Sequence, residues 1–178
     1  MTISPGLQNR TYTHTAIILH WVTAVLVLFQ IPAGVLIARI ELGWVYDAHK
    51  SVGILILGLA VARLLWRSVN APPDLPPDTP LRQRQAAHAV HCLLYTLLIV
   101  QPVVGWIATS AYPAPIPFFG LFELPRIWPE NRELSQQLMT LHLILGLGLG
   151  MLLVMHVGAA LYHHFIRKDH ILLRMLGR

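Results

Sequence analysis

Three stretches of this chain, 16–38, 86–111 and 138–162, contain no formally charged residue, and a fourth, 49–66, is shorter and carries Arg63. An α-helix rises about 1.5 Å per residue, so each stretch is long enough to cross a hydrocarbon layer roughly 30 Å thick. Composition agrees: 55% of residues are apolar and 12% charged, against roughly 25% charged in an average soluble domain. The expected fold is therefore all-α, an integral membrane four-helix bundle. Residues 1–178 read as a single transmembrane domain, with no linker that would separate two. The first apolar run is too long for a signal peptide and has no charge cluster ahead of it, so it is read as a span.

The basic residues set the expected orientation. An even number of spans puts both chain ends on one side. That side collects Arg10, Arg63, Arg67, Arg82, Arg84, Arg167, Lys168, Arg174 and Arg178, whereas Arg39, Lys50, Arg126 and Arg132 fall on the other. The positive-inside bias places the ends in the cytoplasm. The pI near 9.9 expresses this bias and needs no nucleic-acid partner. Residues 71–80 are proline-rich and read as a stiff cytoplasmic link. The longest connection, 112–133, mixes prolines with Phe118, Phe119, Phe122 and Trp128, a composition suited to the outer membrane interface or to covering a site. The lone cysteine, Cys92, excludes an intrachain disulfide and a CxxCH site for covalent haem.

Ten histidines in such a chain are the feature to explain, because a polar group without a partner in an apolar medium costs roughly 2–7 kcal/mol. His142 and His156 are fourteen residues apart, so they share one helix face and lie about 21 Å apart along its axis. Counting depth from the span ends pairs His20 with His156 near the inner side and His49 with His142 near the outer side. A neutral imidazole on each face of an iron porphyrin makes a six-coordinate b-type haem, and bundle cores build cofactor sites from facing helices in this way. Two haem b groups are the expected cofactors. Gly53 and Gly146 each follow a candidate ligand by four residues, where a missing side chain leaves room for a porphyrin edge or for a neighbouring helix. Arg63, fourteen after His49, reaches the inner depth and is a candidate partner for haem propionates, with Arg67 one turn on. His88 and His91 share the inner depth; either is a candidate to bind a propionate or a quinone oxygen. His14, His163, His164 and His170 lie at or beyond the membrane edge.

These residues, in order, resemble the bacterial cytochrome b561 family: Leu19-His20-Trp21, His49-Lys50-Ser51-Val52-Gly53, Ala62-Arg63-Leu64, His88 and His91 with Tyr95, and His163-His164-Phe165 followed by Lys168-Asp169. The resemblance implies a four-helix membrane protein with two b haems, ligated at the positions of His20, His49, His142 and His156. It implies electron transfer across the membrane but leaves the reaction open. One type of member oxidises superoxide at the periplasmic face and reduces ubiquinone, and others serve partner redox proteins. A superoxide site needs a positive field, yet the outer side sets four basic residues against Glu41, Asp47, Glu123, Glu130 and Glu133, with Lys50 the best local attraction. Two other readings are a haem-bearing anchor for a partner enzyme and a haem-free metal or proton transporter. The second is disfavoured because no span carries Asp or Glu.

Overall fold

A computed structural model describes residues 11–37, 39 and 42–178. Arg10 and Glu41, counted above among the charges, and Ala38, the expected end of the first span, lie outside the described residues. Four long helices follow in order: α1 (His14–Ile37), α2 (Gly43–Val69), α3 (Leu81–Ala111) and α4 (Arg132–Tyr162). A π-helical turn over His163–Arg167 and the short α5 (Ile171–Met175) end the chain. All four long helices have the length and apolar composition to cross a membrane. They close a ring in sequence order, α1 against α2, α2 against α3, α3 against α4, and α4 back on α1 by the slightest of these contacts. The chain is an all-α membrane bundle. "Inner" below denotes the face holding Thr13 and the C-terminal residues, and "outer" the opposite face.

Local chemistry fixes the helix starts. Thr13 Oγ1 accepts the Ala16 N–H at 3.3 Å, and Asn131 Oδ1 accepts the Leu134 N–H at 3.0 Å, each satisfying a backbone donor that a first turn leaves free. Glu133 adds a favourable charge at the positive end of α4. The helices outrun the apolar stretches. Helix α2 begins at Gly43, so His49 lies well inside it rather than at its mouth, and α4 begins well before Leu138. Apolarity marks where hydrocarbon is, but i→i−4 hydrogen bonding continues through polar residues in the interface.

Most large apolar side chains face outward, as in Val25, Leu28, Met151 and Val154, the arrangement suited to lipid tails. The buried cluster is Val27, Val52, Ile56, Ala60, Leu98 and Leu149. Val27 lies between His20 and Gln30, Ile56 and Ala60 between His49 and Arg63, Leu98 between His91 and Gln101, and Leu149 between His142 and His156. The core is thus an apolar layer that separates two polar ones.

The outer connection is shaped by a small hairpin, β1 (Pro117–Phe118) against β2 (Phe122–Glu123). Phe118 pairs with Phe122, so three residues connect the strands. The Leu121 N–H closes a turn on the Phe118 carbonyl at 3.0 Å. Its central residues, Phe119 (φ 50) and Gly120 (φ 70), both have positive φ, and glycine relieves the second. Ser51 of α2 pins it: the hydroxyl accepts the Phe119 N–H at 2.9 Å and lies 2.9 Å from the Pro117 carbonyl oxygen. Lys50 Nζ donates to the Pro115 carbonyl at 2.9 Å. On the inner face the C-terminal residues fold back. Met175 O accepts from Trp21 Nε1 at 2.8 Å, and Arg167 bonds Gln83 at 2.7 Å and Asp78 at 3.0 Å.

Candidate functional site

At the outer layer α2 and α4 bring His49 and His142 together, with ring centroids 6.0 Å apart and planes at 75°. Two metal–imidazole bonds of about 2 Å, plus roughly 1 Å from each nitrogen to its ring centre, put imidazoles on opposite sides of one metal about 6 Å apart. The pair has that spacing. It lines a cavity of about 330 Å³ together with Gly34, Gly53, Gly105 and Gly146, within the size range of cofactor pockets. Ile116 of the outer connection closes part of its wall. The Nδ1 of His142 is 3.0 Å from the Gln101 carbonyl oxygen. An N–H there puts the lone pair on Nε2, the tautomer a metal ligand needs. His49 Nδ1 is buried and has no hydrogen-bond partner among the described residues. Spacing, tautomer and cavity all fit a haem held between these rings.

At the inner layer His20 on α1 faces His156 on α4, with centroids 6.3 Å apart and planes at 63°, again the spacing for one metal between them. His91 on α3 joins them, its ring centroid 5.3 Å from that of His156, closer than two imidazoles on opposite sides of a metal would stand. Arg63 Nη2 lies 3.2 Å from His20 Nδ1. A guanidinium only donates, so His20 Nδ1 accepts here and the ring proton sits on Nε2. Ligation through Nε2 therefore requires Arg63 to leave this contact, and a haem carboxylate is the anion suited to draw it away. Arg63 and Arg67 also stack against Tyr95, at 5.2 and 6.0 Å from its ring centre. His88 turns elsewhere: its Nε2 is 3.5 Å from Cys92 Sγ, both side chains exposed. His163 pairs with Asp169 at 2.5 Å at the inner edge.

Four residues of the outer layer were not singled out from the sequence. Gln30 Nε2 donates to the carbonyl oxygen of His49 at 2.7 Å, and Gln101 Nε2 to that of His142 at 2.8 Å. One turn beyond each glutamine, a Cβ on Gly34 would stand 3.0 Å from His49 Cε1, and one on Gly105 would stand 2.9 Å from His142 Cε1. These glycines are required by the two imidazole rings themselves. Gly53 and Gly146 line the cavity, but their nearest neighbours are the glutamine amides, 3.4 and 3.0 Å from a built Cβ. The available signal was the recurrence of Gln-x-x-x-Gly in the first and third spans, at 30–34 and 101–105.

Two pairs of imidazoles on facing helices of a four-helix membrane bundle, with a cavity at the outer pair, are the features of a haem-carrying membrane cytochrome. The family profile for prokaryotic cytochrome b561 matches residues 11–178, and the chain belongs to that family. It is similar to cytochrome b561 homolog 2 of Escherichia coli K12, 36% identical over 164 residues that span 89% of this chain and 87% of the relative. It is also similar to cytochrome b561 homolog 1 of the same organism, 32% identical over 96% of this chain and 99% of the relative. A Yersinia pestis protein named probable superoxide oxidase CybB is 30% identical over 96% of this chain and 98% of its own length. Membership means a multi-pass inner-membrane protein that binds b-type haem and transfers electrons across the bilayer.

Proposed function

We propose that the chain holds two b haems, the outer between His49 and His142 and the inner between His20 and His156, and passes electrons between the two membrane faces. A quinone is the proposed exchange partner, and both chain ends lie in the cytoplasm. The observation that carries this reading is the pair of imidazole pairs, each with centroids near 6 Å, 6.0 Å outer and 6.3 Å inner, set one above the other by the fourteen-residue interval on α4. Bound between two imidazoles, haem iron supplies a one-electron couple.

The chain's own residues do the rest. Gln101 O takes the Nδ1 proton of His142 and leaves its other nitrogen free to ligate. Gly34 and Gly105 let neighbouring helices approach the ligand rings. Val27, Ile56, Ala60, Leu98 and Leu149 keep water out of the interval between the layers. Arg63 and Arg67 offer positive charge to carboxylates at the inner layer. The Arg63 charge lies inside a span, where it costs on the order of 2.5–3.5 kcal/mol on insertion scales unless it is paired.

Superoxide enters as a proposed electron donor because the Yersinia relative carries that activity in its name. The local charge gives it limited help: Lys50, beside His49, is already 2.8 Å from Asp47 Oδ1, with only 11% of its side chain exposed. The test is the purified protein in detergent. A reduced-minus-oxidised spectrum with a b-type α band, and quinone reduction on addition of superoxide, are the expected results. A b-type spectrum without quinone reduction by any supplied donor counts against the quinone and leaves the haem assignment standing. Absence of the band overturns the whole reading.

A further inference from the structure

The two halves of the chain repeat one another's intervals at the polar layers. His20 is followed after ten residues by Gln30 and after four more by Gly34; His91, Gln101 and Gly105 have the same intervals. His49 is followed after four residues by Gly53 and after ten more by Arg63; His142, Gly146 and His156 match again. At the outer layer the equivalence extends to contacts, since both glutamines bond a ligand carbonyl and both glycines abut a ligand ring. At the inner layer it breaks. Where α4 places the imidazole of His156, α2 places the guanidinium of Arg63.

We propose that this replacement sets the direction of electron flow: Arg63 makes the inner site the more electron-attracting of the two. The proposal rests on the two-haem reading above. Two haems of one kind, each between two imidazoles, bring the same charge and the same ligation to both sites. What differs is the charge of the chain around them. At the inner site Arg63, which ligation by His20 frees from its 3.2 Å contact with that ring, stays at the inner layer to offset the charge of the haem carboxylates, and Arg67 lies one turn away against the same tyrosine. Among the described residues no carboxylate pairs with either arginine. Of the inner-face carboxylates, Asp78 and Asp169 are taken up by Arg167 and His163 instead. At the outer site the cation next to the ligand, Lys50, is neutralised by Asp47 at 2.8 Å. A positive charge in a poorly screening interior stabilises an added electron on a nearby centre. The step concerned moves one electron: the outer iron is oxidised by one, the inner reduced by one, and no proton or bond changes.

The test is a redox titration of the haem-loaded protein, with each potential assigned from His142→Ala and His156→Ala variants. In the unaltered protein the inner haem has the higher potential. Arg63→Gln lowers it, shifting the sharing of one electron about tenfold toward the outer site, equal to about 59 mV, and leaves the outer potential in place; Arg63→Lys retains most of the difference. If Arg63→Gln does not hold the inner haem, Arg67→Gln shows a smaller shift of the same sign. An inner potential below the outer one overturns the proposal. So does an inner potential that Arg63→Gln, or failing that Arg67→Gln, does not move. A haem-to-protein ratio below two contradicts the two-haem reading itself, and the proposal falls with it.

Discussion

Gln101 and His142 grip each other in both directions: the Gln101 side-chain amide donates to the His142 carbonyl oxygen at 2.8 Å, and the His142 ring nitrogen Nδ1 is 3.0 Å from the Gln101 carbonyl oxygen. One contact fixes the turn that bears the proposed ligand, and the other fixes the tautomer of its ring. Gln30 makes only the first of these to His49, whose Nδ1 lacks a partner.

Gln101→Leu removes the donor to His142 and leaves the contact to the backbone carbonyl. The expected cost is about 1 kcal/mol of stability, the usual net worth of one hydrogen bond, measured by chemical denaturation in detergent. Gln30→Leu costs a similar amount. It also perturbs the low-spin electron paramagnetic resonance signal of the outer haem more strongly, because no second contact orients His49.

Gly105→Ala puts a methyl group 2.9 Å from His142 Cε1, so the ring or the helix must shift. Outer-haem occupancy should fall while inner-haem absorbance persists. Gly58 has nothing within 4 Å of a built Cβ, and Gly58→Ala should leave both haems in place, with up to about 1 kcal/mol gained from the better helix former. Haem-to-protein ratios of the two variants check both statements.

Ser51 is 1% exposed and joins α2 to the outer hairpin. Ser51→Ala removes the acceptor of the half-exposed Phe119 N–H, a loss of about 1 kcal/mol, the usual net worth of one hydrogen bond. Limited proteolysis should cut within 112–131 faster than in the unaltered protein, with the inner-haem spectrum unchanged.

The spans were legible because charge is expensive in hydrocarbon, so a membrane helix announces itself by what it omits. The histidine pairs were legible because a helix converts sequence interval into depth, and His142 and His156 on one helix calibrate His49 and His20 on two others. The helix ends were not, since the polar first turns of α3 and α4 carry no apolar signal although their backbone hydrogen bonds continue unbroken. Gln30 and Gln101 escaped notice for a different reason. Their partners are backbone carbonyls, which no residue type marks, so each reads in sequence as an isolated polar group. The hairpin at 117–123 depends on positive φ at Phe119, a residue that gives no warning of it.

The most direct test of the paired-histidine account is the haem content of His142→Ala and His156→Ala beside the unaltered protein. The account predicts two haems per chain, with the outer one lost in the first variant, the inner one lost in the second, and the surviving spectra different. One haem per chain at the start, or the same haem lost from both variants, would contradict it.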